Sequence, residues 1–346
     1  MERKMKIDIF CHITPQKYLA ALEKKVNPEV AKEFPSTWLP TLKDLDARFR
    51  VMDRYPDMRQ ILTVVNPPVE AILEKKDAIE ISQLVNDEMA ELVTKYPDRF
   101  VGAVACLPMN DMDAALKEAD RTIKDLNFNG VQIFTNIMGK PLDLPEFMPL
   151  YERMAEHDLP IWIHPFFKHV GSVAKDGDKF EDYQVFTGPK DPAWAMKRAA
   201  FDLPAATSEA VTRLVYSGVF DRYPTVKFIT HHCGADIPTF VKRIEMHYLM
   251  FKEKENTDLG LKKPVPEYFK MFYADSALHG NVPALMSGYE FFGPDRIMFG
   301  TDMPFGSEEG LWPIKETVDS IEQTPIPDAE KQMIFEDNAK RLLRIT

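Results

Sequence analysis

LPIWIHPF, residues 159–166, is the stretch on which the fold turns. Ile161, Trp162 and Ile163 form an apolar run of the kind found in a parallel strand covered on both faces. The run nevertheless ends on an imidazole, His164, set directly before a proline. Three other apolar runs behave alike: IDIFC leads to His12, VKFITH reaches His232, and RIMFGT leads to Asp302. A buried strand has reason to end on such a group where its end opens on a site. In a barrel of parallel strands all C-terminal ends open on one face, so residues distant in sequence meet there.

Working outward, runs rich in β-branched and aromatic residues occupy Ile7–His12, Ile61–Val65, Val101–Leu107, Gly130–Phe134, Pro160–His164, Lys227–His232, Met271–Asp275 and Ile297–Asp302. Helical spacing of apolar residues fills Val85–Lys95, Ala114–Leu126, Phe147–His157 and Ser208–Leu214 between them. Eight strands alternating with helices predict an α/β chain folded as one (β/α)8 TIM barrel over residues 1–346. No glycine-rich phosphate loop follows a strand, which removes the dinucleotide role of an open sheet. Two connections, 13–60 and 166–206, are too long for plain βα units, and each follows a strand that ends on a histidine. They are expected as insertions on the active face, acting as lids or pocket walls. A C-terminal segment, 328–346, carries a helix (Asp328–Leu343) expected to pack on the outside of the barrel.

The formal net charge of −11 argues against nucleic acid or an anionic membrane as partner, since both need a basic face. Cys11, Cys106 and Cys233 are odd in number, widely spaced and set in apolar stretches, which reads as reduced thiols. The start, MERKMKIDIF, has no apolar stretch long enough for a signal peptide or membrane span. A cytoplasmic location is the expectation.

His12, His164 and Asp302 give two imidazoles and a carboxylate, a facial set that leaves positions on a divalent metal for water and substrate. Asp302 has a competing reading as the cap of a following helix. His232 is the candidate acid/base, because an imidazole near a cation can hold or release a proton near neutral pH. Its neighbour His231 is expected on the opposite side of the strand, packed between barrel and helices. Asp275 and His279, in YADSALHG, read equally as supports behind the ligands or as loop caps. His157, at the end of a helical pattern, reads as a C-terminal residue favoured by the helix dipole. Phe134, Phe166, Phe167, Trp194 and Phe305 lie near strand ends and could line an aryl-shaped pocket, although such residues also build cores.

With these residues placed, the chain resembles the decarboxylase branch of the amidohydrolase superfamily, the group of aminocarboxymuconate-semialdehyde and γ-resorcylate decarboxylases. The likeness runs through IDIFCHITP, YPDRFVGAVACLPM, ALKEADRTIKDLNFNGVQI, LPIWIHPF, SGVFDRYPTVKFITHHCGADIP, FYADSALHG and DRIMFGTDMPFG, in order. It implies one divalent metal, Zn2+ first and Mn2+ second, with no organic cofactor. His164 and Asp302 match metal ligands, His12 the second histidine of an H-x-H or E-x-H motif, and His232 the catalytic histidine. It further implies that Arg48, in DARFRVMD, holds a substrate carboxylate. Arg243 would be a second such arginine, supplied across a homodimer interface. The chain departs from the pattern at Phe10, where the family carries a histidine or glutamate ligand. Three ligands then suffice, or Asp8 substitutes, or the metal is absent.

The function expected is metal-dependent, non-oxidative decarboxylation of a small carboxylated aromatic, phenolic or muconate-like acid. His232 or Asp302 would deliver the proton. The alternatives are a hydrolase or hydratase on the same scaffold, and a metal-free acid-binding homologue.

Overall fold

The computed structural model of the chain describes residues 5–167, 183–184, 188–189, 192–255 and 257–345. Among these, eight strand positions form the barrel: β1 (Lys6–Ile13), β2 (Met58–Val64), β3 (Phe100–Ala103, continued by Ala105–Cys106), β4 (Val131–Phe134), β5 (Ile161–His164), β6 (Phe228–Thr230), β7 (Tyr273–Asp275) and β8 (Ile297–Met298). Every neighbouring pair is parallel. The third strand changes partner at Val104, pairing first with β2 and then with β4. Closure runs through single bonds and a bridge: Ile9 N–H donates to Phe299 O, Asp302 N–H to Phe10 O, and Cys11 bridges Met303.

Helices cover the outside, among them Lys75–Lys95, Met112–Lys124, Met148–His157 and Leu203–Tyr216, each overlapping a segment of helical spacing in the sequence. His157 is the last residue of its helix, with Nε2 2.7 Å from Asp120 Oδ1, an acid–base pairing added to the dipole effect. No helix of the described residues is long and apolar enough to cross a membrane. The three cysteines are buried and unpaired.

One expectation about the strands needs correction. β6 and β8 are shorter than their apolar runs, so His232 and Asp302 lie beyond the last ladder residue rather than on it. The C-terminal segment packs on the outside of the barrel through Ile334 and Phe335, the latter 5.5 Å from the Phe299 ring, and then turns under it. Ala339, Leu342 and Leu343 join the cluster of Ile7, Ile9, Ile61, Trp162, Ile229 and Met298 that fills the lower barrel, so the chain's end plugs the N-terminal mouth. The helix also contains a π-type turn at Met333–Asp337, and there Ile334 O accepts from Phe299 N–H.

Of the first long connection, Gln16–Glu23 and Leu45–Met52 are helical, and Leu39 and Leu42 pack with Val65 and Phe305 near the mouth. Of the second, residues 168–182, 185–187 and 190–191 lie outside the described residues.

Candidate active site

β1 delivers His12 through an irregularity. Asp8 pairs with Gln60 but Cys11 pairs with Leu62, so three steps on β1 oppose two on β2. A bulge of this kind turns successive side chains to the same side. Ile9 therefore joins the lower interior cluster while Phe10, the next residue, meets the site rings. Period-two alternation through IDIFCH would put Asp8, Phe10 and His12 on one side, and this bulge breaks it. Asp8 is fully buried and accepts from Thr301 Oγ1 at 2.6 Å, Thr301 N at 3.0 Å and Phe10 N at 3.2 Å. Its carboxyl, pushed up to about 7 by burial, ties β1 to the segment after β8, so it does not substitute for a ligand at Phe10.

Hydrogen bonds fix the tautomers of the two candidate ligands. Thr63 Oγ1 donates to Cys11 O at 2.8 Å and lies 3.0 Å from His12 Nδ1. Its only proton is used, so it accepts from His12 Nδ1–H. His164 Nδ1 lies 2.9 Å from the carbonyl of Pro165, which can only accept. Both rings therefore present a bare Nε2, and the two Nε2 atoms face each other at 3.4 Å. Asp302 Oδ1 lies 3.2 Å from His12 Nε2. Acceptors in such contact repel unless a proton or cation joins them. Two ligand atoms about 2.1 Å from one cation, at tetrahedral or octahedral angles, lie about 3.0–3.4 Å apart. His12 Nε2 thus stands at ligand-to-ligand distance from both His164 Nε2 and Asp302 Oδ1, and these three residues would hold a divalent metal. Burial, with His12 and His231 nearby, keeps His164 well below the usual histidine range, in the neutral form a metal requires.

Asp302 sits at the centre. Its Oδ2 faces His232 Nε2 at 3.6 Å and His279 Nε2 at 4.0 Å. Burial alone would raise its carboxyl, but the imidazole hydrogen bonds and charge around it, that of His232 among them, outweigh this and hold it below the carboxylate range. His232 is drawn down by burial, yet the Asp302 carboxylate prevails and raises it above the usual histidine value. His232, His279 and Asp302 all adopt positive φ, 53°, 49° and 61°. Left-handed backbone in three non-glycine residues facing one point is strain of the sort concentrated at functional sites.

His231 corrects its expected place. It is fully buried inside the barrel, stacked on Phe10 with ring centroids 3.6 Å apart and 15° from coplanar, and 5.6 Å from the His164 ring. Its Nδ1 lies 2.7 Å from Asp275 Oδ2, and among the described residues its Nε2 has no partner. Ile229 faces inward, and alternation carries the same side to His231, whereas His232 is swung toward Asp302 by the turn after Thr230. Gly300 makes the packing possible: a Cβ there would stand 2.9 Å from the Cβ atoms of both Phe10 and Asp275.

Arg48 does not point into this space. It is fully buried, donating from Nε to Gln60 Oε1 at 2.9 Å and from Nη1 to His12 O at 2.7 Å. It braces the backbone that carries His12, while its buried Nη2 has no partner among the described residues. Arg243 is exposed on the helix Ile237–Glu255 and makes no hydrogen bond or ion pair with the cluster among the described residues. Phe305 approaches His12 with ring centroids 5.7 Å apart, and Trp38 reaches Phe305 at 6.2 Å. On the other side Phe134 lies 5.2 Å from His164 and 5.7 Å from Phe166. Trp194 falls in the helix Pro192–Lys197, but its side chain lies outside the described residues.

The amidohydrolase family pattern matches residues 7–345, nearly the whole chain. The chain belongs to the amidohydrolase family. Its relatives include the γ-resorcylate decarboxylase of Polaromonas sp., 30% identical over 91% of each chain. The 2-amino-3-carboxymuconate-6-semialdehyde decarboxylase of Dictyostelium discoideum is 27% identical, over 88% of this chain and 82% of that one. A crystal structure of a Polaromonas dihydroxybenzoic acid decarboxylase, with bound manganese and the inhibitor 2-nitroresorcinol, superposes with a TM-score of 0.74. It is 26% identical and covers 99% of this chain and 97% of that one. The barrel expected from the strand count is the fold of this family.

Proposed function

We propose that the site removes a carboxyl group, without oxidation, from a small aromatic acid bound to a divalent metal. The observation that carries the metal is the pair of bare imidazole nitrogens, His12 Nε2 and His164 Nε2, facing each other 3.4 Å apart beside Asp302. When bound, the cation polarises a substrate oxygen and so favours the electron flow that follows cleavage of the C–C bond. Manganese is favoured over the zinc expected first, because a relative of the same family carries manganese with a resorcinol inhibitor.

The chain's own groups do the rest. His232, whose protonated form the Asp302 carboxylate favours, stands next to the metal ligands and delivers a proton to the carbon that loses carbon dioxide. Phe134, Phe166 and Phe305 form apolar walls for an aryl ring. With Arg48 committed to the backbone, Arg198 takes its proposed place at the acid. Its guanidinium lies 3.9 Å over the Phe167 ring, at the far end of the aromatic row that starts at His164. Segments 13–60 and 166–206 are proposed as the walls that set specificity.

A homodimer is part of the same reading. Phe240, Met246, Leu249 and Phe251 are exposed on the helix that carries Arg243, and Met196 and Phe201 are exposed within the second insertion. Large apolar side chains in such number are what an interface covers.

The test is product analysis with Mn2+-loaded protein and a panel of hydroxylated benzoic acids, run in D2O. Carbon dioxide and a phenol with one deuterium at the vacated carbon are expected. A hydrolysed or hydrated product, or no carbon dioxide from any acid, would overturn the reading.

A further inference from the structure

The two oxygens of Asp302 face different histidines. Oδ1 meets His12, the partner of His164, whereas Oδ2 meets His232 at 3.6 Å and His279 at 4.0 Å. One donor atom each from His232, His279 and Asp302 lies within 4.8 Å of the other two, a spacing that small side-chain rotations bring to the edge of a cation's shell. A carboxylate that offers one oxygen to each of two ligand groups is the bridging element of two-metal sites. The second group is also held in place. Its three residues have left-handed backbone, which confines their side-chain directions, and the His279 ring is stacked on Trp312, 5.9 Å between centroids and 22° from coplanar.

The first group is buried, with His12 fully enclosed, whereas His279 is open to solvent. A cation can therefore reach His279 from the mouth after the inner position is filled. Sharing one carboxylate between two cations leaves the outer one less negative charge, so it binds more weakly. It also needs the Nε2 lone pair of His232, the group assigned above to proton transfer.

We propose that His232, His279 and Asp302 form a second, weaker divalent-cation site, and that filling it withdraws His232 from proton transfer. This rests on the metal-dependent reading of the first site. The outer site would make excess divalent metal an inhibitor of an enzyme that needs one equivalent of it.

The experiment titrates metal-free full-length protein with Mn2+, following free Mn2+ by electron paramagnetic resonance and tryptophan fluorescence in parallel. Wild type is expected to bind two Mn2+ per chain, the second quenching Trp312. His279→Ala should keep the first and weaken the second by at least about tenfold, the loss that removing a partner behind a ligand already produces. Trp312→Phe should remove the quench attached to the second equivalent without removing that equivalent. Turnover at saturating Mn2+, divided by turnover at one equivalent, should fall severalfold in wild type and stay near one in His279→Ala. If the alanine variant fails to fold, His279→Gln serves, its melting temperature checked first. Binding of one Mn2+ per chain in wild type overturns the outer site and leaves the inner one standing. So does a second equivalent of equal affinity in wild type and variant. Binding of none overturns both.

Discussion

Phe10 lies face to face on His231, ring centroids 3.6 Å apart, at the level where the barrel interior gives way to the ligands. The stack fills with carbon the position where the family resemblance puts a coordinating side chain. It also shields the His231–Asp275 pair from below. Phe10 stands edge-on to His12 at 4.8 Å and tilted to His164 at 5.7 Å, so it is in contact with the candidate metal ligands without offering them a donor.

Phe10→His should therefore tighten metal binding. An imidazole can keep the stack on His231 and add one donor, raising the protein ligands from His12, His164 and Asp302 to four. Dialysis against a mild chelator, followed by metal analysis, should leave more Mn2+ in the variant than in wild type. Equal retention would mean that Phe10 does not limit affinity.

His231 and His232 are adjacent in sequence but differ in task, and substitution separates them. His232→Asn should retain the first metal and lose about two to four orders of magnitude in turnover, the worth of a general acid/base. His231→Asn should chiefly cost stability, because Asp275 then loses its imidazole partner in a fully buried place. Thermal melts beside single-turnover rates distinguish the two. A full-rate His232→Asn together with a dead but stable His231→Asn would transfer the proton-carrying role to His231.

The barrel, and the meeting of His12, His164, His232 and Asp302 at one mouth, were legible because they follow from strand ends: four apolar runs stop on groups that have no place in a core. Other features escaped for identifiable reasons. Asp8 was put on the His12 side by period-two alternation, which a bulge at Asp8–Cys11 breaks and which no residue pattern in IDIFCH announces. His231 was placed outside because the strand was taken to run through His232, whereas it stops at Thr230. Arg48 shows the limit of a resemblance. The residue type fits a carboxylate clamp, but its direction depends on Gln60, twelve residues on in the next strand.

Arg48 and Arg198 make opposite predictions. Arg48→Met removes the donors to His12 O and Gln60 and should cost about 3 kcal/mol or more of stability, as two buried acceptors lose partners. In the folded fraction its KM should change little. Arg198→Ala should raise KM by about tenfold or more, with kcat less affected, the signature of lost uniform binding to a charged substrate group. Steady-state kinetics alongside denaturant melts provide the check. A large KM effect from Arg48→Met in well-folded protein would restore its role at the substrate.

Glu70 gives a pH prediction away from the metal ligands. It is 2% exposed, and among the described residues its Oε1 has no partner. Val64, Cys106, Leu107, Gln132 and Phe134 line the same small cavity. Burial pushes its carboxyl up to about 8, so it is protonated in the folded protein at neutral pH, whereas in the unfolded chain it ionises near the ordinary value. The folded state then binds the extra proton, and stability must fall as pH rises between about 4.5 and 8, levelling off above. The full effect is up to about 5 kcal/mol. Asp8 adds a fall of the same sign below about 7, so the difference between wild type and Glu70→Gln isolates Glu70. The amide is neutral throughout, and its variant should gain on wild type steadily from pH 5 to pH 8.5 in denaturant melts. A constant difference across that range would show that Glu70 titrates alike in both states and that an unmapped partner satisfies its charge.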